Sequence, residues 1–266
     1  MTILAYFCTV LMGSTLGLIG GGGSILTVPI LVYMMDIDPV RATGYSLFVV
    51  GATALVGSVG YFRKGLVHIR TGLIFALPSF AGVYTVRRFG IPALPDEIMN
   101  IGGYIITKDT FIMLVFAAVM LATAYSMIRK PKGNVTEIDP KHEDDYNYPL
   151  IAVEGLVVGC VTGLVGAGGG FLIVPALVML AKIPIKQAVG TSLMIIAIKS
   201  LFGFYGDVQS GAVIDWQLLM TVTGLAIIGI VIGGRLSHHI PAKVLKPAFG
   251  VFVFVMGGVI LGLELA

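Results

Sequence analysis

The chain has 266 residues, 57% of them hydrophobic and 12% charged, with a formal net charge of +3 and a mean hydropathy of +0.98. Soluble domains carry about 25% charged residues, so a soluble fold is excluded, and many uncharged windows of about 20 residues match the hydrocarbon core of a bilayer. The alternation of an outer-membrane barrel is absent, which leaves a polytopic all-α membrane protein.

The first hydrophobic segment, 2–19, lacks a basic start and a small-x-small cleavage site, and reads as a retained helix rather than a signal peptide. It runs into Gly17-Leu18-Ile19-Gly20-Gly21-Gly22-Gly23-Ser24-Ile25-Leu26-Thr27-Val28-Pro29. Glycine is the poorest helix former after proline, so the helix should break there. The segment that follows, 24–35, has about 12 residues, or about 18 Å of helix, and is too short to cross a bilayer alone. It is expected to pair with its predecessor as a broken helical hairpin. Three longer segments complete the first half: 43–62, 71–87 and 110–128.

A polar stretch rich in Lys, Glu, Asp and Pro, 129–147, then separates the halves and reads as a solvated linker. The second half repeats the first. Its segments are 148–166, 171–182, 189–206, 216–235 and 245–264, and its glycine cluster is Gly163-Leu164-Val165-Gly166-Ala167-Gly168-Gly169-Gly170-Phe171-Leu172-Ile173-Val174-Pro175, displaced by 146 residues from the first. At the same offset Ala42, Gly44, Ser46 and Leu47 match Ala188, Gly190, Ser192 and Leu193, and Gly57, Gly60 and Gly65 match Gly203, Gly206 and Gly211. Register over this length indicates duplication. The expected organisation is a first repeat over 1–128, a linker over 129–147 and a second repeat over 148–266.

The distribution of Lys and Arg orients the chain. One face collects Arg63, Lys64, Arg70, Arg129, Lys130, Lys132, Lys141, Lys182, Lys186, Arg235, Lys243 and Lys246; the other collects Arg41, Arg87, Arg88 and Lys108. The linker is therefore expected in the cytoplasm of a cell whose inner membrane the chain crosses, with both termini outside. The repeats then start on opposite faces and are inverted. Glycine-broken segments at matching places in inverted repeats point to a transporter's midplane site.

Within the segments, Lys199 stands out. A charge near a helix centre costs at least about 2.5–3.5 kcal/mol in a bilayer, and a lysine that merely snorkels belongs nearer a helix end. Its repeat counterpart is Thr53. Glu154 lies nearer the cytoplasmic end of 148–166, where it either relays a proton or reaches interfacial water. Ser46, Ser192, Thr191 and Tyr45 open the segments after the hairpins, as helix caps, interhelical hydrogen bonds or ligand contacts. Gly57, Gly60, Gly203 and Gly206 read as packing glycines, Cys8 and Cys160 as small buried hydrophobes, and His238 and His239 as part of a solvated loop. No βαβ unit or Walker lysine follows the glycine clusters, which argues against nucleotides. The short segments begin directly after the clusters, and helix N-termini attract anions. Two such termini with Lys199 nearby would form an electropositive pocket for a small anion.

The paired glycine-proline motifs, followed by Ala42-Thr43-Gly44-Tyr45-Ser46-Leu47 and Ala188-Val189-Gly190-Thr191-Ser192-Leu193, resemble the TauE/SafE family of sulfite and organosulfonate exporters, also called the 4-toluene sulfonate uptake permeases. The resemblance covers nearly the whole chain, including Gly229 to Arg235 and Ile240-Pro241. It implies transport of sulfite, thiosulfate or sulfonates such as sulfoacetate. In the first half Val86 and Arg87 stand where the second has Gly233 and Gly234, and where the family keeps small residues.

The expected function is thus a secondary transporter, an exporter of a small sulfur-containing anion, embedded in the lipid bilayer. The expected substrate-binding residues are Gly22, Gly23, Ser24, Ser46, Gly168, Gly169, Gly170, Thr191, Ser192 and Lys199, with Glu154 as the proton-coupling candidate. Neither a metal, a cofactor nor nucleic acid is implied, and a homo-oligomer is left open. An anion channel of the same architecture is the alternative. An intramembrane enzyme is disfavoured because the sequence offers neither paired catalytic carboxylates nor a nucleophile–base pair.

Overall fold

The computed structural model describes residues 2–101, 104–128, 148–179, 183–236 and 242–265. The linker 129–147, Lys182, His238, His239 and Ile240-Pro241 lie outside the described residues. Ten helices form among the described residues. In the first half they are α1 (Thr2–Ile19), α2 (Gly22–Met34), α3 (Pro39–Arg63), α4 (Ile69–Ala93) and α5 (Lys108–Ile128). In the second they are α6 (Tyr148–Val165), α7 (Gly170–Met179), α8 (Ile185–Gln209), α9 (Trp216–Leu236) and α10 (Ala242–Leu265). Five stretches, Pro39–Arg63, Ile69–Ala93, Lys108–Tyr125, Lys186–Gln209 and Trp216–Leu236, are long and apolar enough to cross a membrane.

Local chemistry sets the boundaries. Gly20 ends α1 at φ +75° with its N–H on the Leu16 carbonyl, and Gly166 ends α6 at φ +73° with its N–H on Thr162. This left-handed cap requires a residue without a β-carbon. Pro39 opens α3 at a position that needs no backbone N–H, and Pro184 directly precedes α8. Both of these long helices therefore begin about four residues before the hydrophobic segments read from sequence. Tyr45, Ser46, Thr191 and Ser192 accordingly stand inside helices and cap none of them.

Two helices change pitch. α2 starts as a 3₁₀ turn over Gly22–Leu26, passes through Thr27–Pro29 and ends as a π turn over Ile30–Met34. α4 is α-helical to Thr85, widens into a π turn over Val86–Gly90 and closes with Ile91–Ala93. The residues between Pro92 and Asp109, extra relative to the second half, form an antiparallel hairpin, β1 (Glu97–Ile101) against β2 (Tyr104–Thr107). The all-α expectation missed these two strands.

The long helices pack in an exchanged pattern. α1 lies along α9, and its repeat counterpart α6 lies along α4; α3 pairs with α8, α5 with α10, α4 with α8 and α9 with α3. Small residues permit the close approaches. A β-carbon on Gly159 would stand 2.2 Å from the Ser79 carbonyl oxygen, and one on Gly229 would stand 2.2 Å from that of Val10. In lipid, where hydrophobicity does not separate one helix from another, such contact is what drives association. Gly57 and Gly203 fit the packing role, against Ile230 and Val83, and Gly206 approaches Arg87; Gly60 meets nothing within 4 Å. Cys8 is partly exposed and Cys160 exposed, which corrects their reading as buried side chains. Large apolar side chains such as Phe7, Phe62, Leu77 and Phe254 face outward, as a bilayer-embedded surface allows.

Candidate functional site

The two glycine clusters meet at the centre of the molecule. A β-carbon on Gly21 would lie 2.4 Å from the Cα of Gly170, and one on Gly170 would lie 2.3 Å from the Cα of Gly21. Gly168 approaches Ser24 at 3.2 Å by the same measure. Every residue from Gly20 to Ile25 and from Gly166 to Phe171 is buried.

Serines from opposite halves hold this junction. The Ser46 hydroxyl donates to the Gly166 carbonyl at 2.7 Å, and the Ser192 hydroxyl lies 2.6 Å from the Gly20 carbonyl oxygen and 2.8 Å from that of Val189. These are repeat-equivalent bonds that cross between the halves. Each satisfies a carbonyl that a helix end leaves without an intrahelical partner. The Ser24 hydroxyl donates to Gly21 within its own cluster at 2.7 Å.

The two clusters differ in backbone shape. Gly168 and Gly169 adopt φ +62° and +69°, whereas their counterparts Gly22 and Gly23 belong to the 3₁₀ turn and are not in the left-handed region. Gly22 rests near Ile19 and Phe249, and Gly23 against Met12, Thr15 and Leu16, so α2 doubles back along α1.

Lys199 sits in the middle of α8 and is fully buried, so it does not snorkel. Its ammonium donates to the Thr162 hydroxyl at 2.6 Å, and that hydroxyl in turn donates to the Val158 carbonyl at 2.7 Å. No carboxylate pairs with Lys199 among the described residues. An ammonium has three N–H donors, and a buried one without a counter-ion is costly. A β-carbon on Gly169 would stand 2.9 Å from the Lys199 Nζ, so the second cluster forms part of the lysine's immediate surroundings. The hydroxyls of Thr53, Ser200 and Thr27 are buried without a hydrogen-bond partner.

The expected site residues thus divide. Ser24, Gly168, Gly169, Gly170 and Lys199 come together, with Ser46 and Ser192 on the flanks. Gly22 and Gly23 face α1 and Phe249. Thr191 accepts a hydrogen bond from the His68 N–H at 2.9 Å and so ties α8 to the loop before α4. Glu154 stands on α6 eight residues before Thr162, about 12 Å of helix away, with its Oε2 unpartnered.

Sequence reasoning missed Thr162, because helical threonines ordinarily bond only to the preceding turn. It also missed Asp207, which lies one residue beyond the segment read as 189–206, and it took Arg87 for a loop cation. Arg87 is fully buried in the π turn of α4, with Nη1 3.5 Å from Oδ2 of Asp207.

The sequence model described as "Sulfite exporter TauE/SafE" matches residues 5–260. The chain belongs to the TauE/SafE family. TauE/SafE proteins are membrane transporters, and this member, with its five membrane-length helices, is a multi-pass membrane protein. It is 30% identical over 260 residues to "Probable membrane transporter protein YunE" of Bacillus subtilis (strain 168), covering 93% of both chains. It is 30% identical over 265 residues to a "Probable membrane transporter protein" of Xylella fastidiosa (strain 9a5c), covering 95% of this chain and 94% of the relative. A third relative, "Probable membrane transporter protein MJ0441" of Methanocaldococcus jannaschii, is 28% identical over 212 residues, or 76% of this chain and 70% of its own. No solved structure matches the chain. The TauE/SafE match spans both glycine clusters, both serines and Lys199.

Proposed function

We propose that this TauE/SafE protein is a secondary transporter that exports a small sulfur-containing anion, such as sulfite, thiosulfate or an organosulfonate like sulfoacetate. The observation that carries the reading is the buried ammonium of Lys199, unpaired with any carboxylate among the described residues, beside the junction of the two glycine clusters. A buried cation without a carboxylate partner among the described residues is stabilised by a dissociable anion, and backbone beside glycines can come closer to an oxoanion than any β-carbon would permit. The anion in this reading lies between the clusters, held by Lys199 and by backbone near Gly168–Gly170 and Ser24, with Ser46 and Ser192 fixing the geometry.

The exchanged pairing of α1–α9 with α6–α4 supports two inverted repeats, 1–128 and 148–266, each led by a glycine-broken hairpin. Rocking one set against the other would open the junction alternately to each side. In the orientation proposed from the loop charges, both termini face outward from the cell membrane, the linker faces the cytoplasm and Glu154 stands on the inner side as a candidate for proton coupling. The burial of both clusters favours a carrier over an anion channel, since a conducting pore would keep its site wet.

Equilibrium binding to purified protein, across sulfite, thiosulfate, sulfoacetate, taurine and sulfate, tests this reading. One or more sulfur anions should bind, and Lys199→Met should weaken that binding by tenfold or more, on the order expected for loss of a charge-assisted contact, while the protein stays folded. Saturable counterflow in proteoliposomes should accompany it. Unsaturable conductance would favour the channel, and wild-type affinity in Lys199→Met would move the anion elsewhere.

A further inference from the structure

The least satisfied charge outside the central site is Arg87. It is 1% exposed, and Nε, Nη1 and Nη2 all lack a hydrogen-bond partner. Its one ionic neighbour among the described residues, the Asp207 carboxylate, lies 3.5 Å away, and the nearer oxygen of that carboxylate is also buried without a hydrogen bond. Charge-assisted N–H···O bonds close to about 2.7–2.9 Å, so this is a loose pair in which both partners keep unused hydrogen-bonding capacity. A guanidinium cannot resolve the problem by losing its proton.

Arg87 borders a cavity, with its guanidinium nitrogens buried in the wall. At the end of the bundle where α3 begins and α8 ends, a space of about 200 Å³ is bordered by Arg41, Gly44, Arg87, Lys108, Phe204 and Asp207, among others. A water occupies about 30 Å³ in the liquid, so a small oxoanion with some of its hydration fits. Three cations border the cavity against one carboxylate. The acids close in sequence to lining residues are engaged elsewhere: Asp38 with Arg41 in solvent at 3.5 Å, Asp109 with the Val40 N–H at 3.4 Å, and Asp215 with the Leu218 N–H at 3.0 Å. The same helix, α3, borders the cavity and the central site. Gly44, where a β-carbon would stand 2.6 Å from Oδ2 of Asp207, is two residues before Ser46, which bonds the Gly166 carbonyl. The position equivalent to Arg87 in the other half is Gly234, so the guanidinium marks one end of the molecule.

From these contacts we propose that Arg87 is a second oxoanion-binding position, where a sulfonate or sulfite group exchanges with Asp207 as the partner of the guanidinium after leaving Lys199. The planar fork of arginine suits two oxygens of such a group, which a lysine's point charge would not match. This rests on the anion-transport reading above.

The chain's single tryptophan supplies a reporter. Trp216 lies edge-on to Phe204, ring centroids 6.1 Å apart, and Phe204 borders the cavity. Sulfite titrated into detergent-purified protein should change Trp216 emission. Arg87→Gln should weaken that titration about tenfold or more, Arg87→Lys should restore part of it, and Asp207→Asn, which removes the competing carboxylate, should tighten it. A folded Arg87→Gln protein that titrates like wild type overturns the proposal. If Arg87→Gln does not fold, Asp207→Asn decides: unchanged or weaker binding means the pair is structural. Sulfite counterflow without a Trp216 response sinks this second position alone, whereas absence of both flux and binding for every sulfur anion sinks the transport reading itself.

Discussion

Gly169→Ala is the sharpest test of the central site. Gly169 adopts φ +69°, a conformation that costs a residue with a β-carbon about 1–2 kcal/mol. The new β-carbon would stand 2.3 Å from Cγ2 of Thr162 and 2.9 Å from Nζ of Lys199. Carbon–carbon contacts settle at about 3.5–4.0 Å, so the Thr162 methyl would have to retreat by more than about 1 Å. It is poorly placed to do so, because the Thr162 hydroxyl is tied to the Val158 carbonyl at 2.7 Å and to Lys199 at 2.6 Å. Overpacking of this kind costs about 1–3 kcal/mol, giving about 2–5 kcal/mol with the backbone term. Part of that should appear as a lower melting temperature in detergent, and part as displacement of the ammonium, with sulfite affinity falling tenfold or more. Gly166→Ala is the matched control. Its φ is +73° and its β-carbon would meet Thr43 at 2.4–2.6 Å, with Lys199 not among its close neighbours. It should destabilise comparably while the folded fraction binds sulfite normally. Wild-type sulfite affinity in folded Gly169→Ala protein would refute the reasoning.

Other outcomes follow from the same contacts. Lys199→Arg should recover only part of the binding lost in Lys199→Met, because a planar fork does not reproduce a point donor to Thr162; full recovery would make charge alone sufficient. Ser46→Ala and Ser192→Ala each leave a buried carbonyl, of Gly166 or Gly20, without its hydroxyl donor. Each should lower stability by about 1–3 kcal/mol in denaturant titration, and an effect below 0.5 kcal/mol at both would deny the crossed bonds a structural role, given the usual scatter of surface substitutions. Gly60→Ala, with no atom within 4 Å of the new methyl, should be neutral or stabilise α3 by up to about 1 kcal/mol. In a background without Cys8 and Cys160, a cysteine within 129–147 should be shielded from an impermeant thiol reagent on intact cells, and one near Ala266 should be labelled. The reverse pattern would invert the proposed orientation.

What the sequence determined by itself is the set of helices. A membrane helix is a property of one contiguous window, whose apolar side chains satisfy the bilayer and whose backbone satisfies itself. The segments were therefore legible to within a few residues except where proline extended α3 and α8 at their starts and a π turn carried α4 on to Ala93. The glycine breaks were legible too, because their conformational consequence is local, and Lys199 was conspicuous as a charge where lipid tolerates few. Tertiary structure decided what those elements do to one another. Ser46 reaches Gly166 across 120 residues and Ser192 reaches Gly20 across 172, and nothing in either window specifies the partner. The clusters diverge in backbone shape despite their similar residues: Gly169 and Gly23 both pack on the preceding helix, at Thr162 and Leu16, but Gly169 also meets the Lys199 ammonium, where the other half has Thr53. Arg87 read as a loop cation and proved fully buried, since the π turn that carries it and the Asp207 beside it depend on how α4 meets α8. Faces rich in glycine and alanine pack well against many others. The choice among them is made by the whole set of contacts at once, so it is not written in any single stretch of the chain.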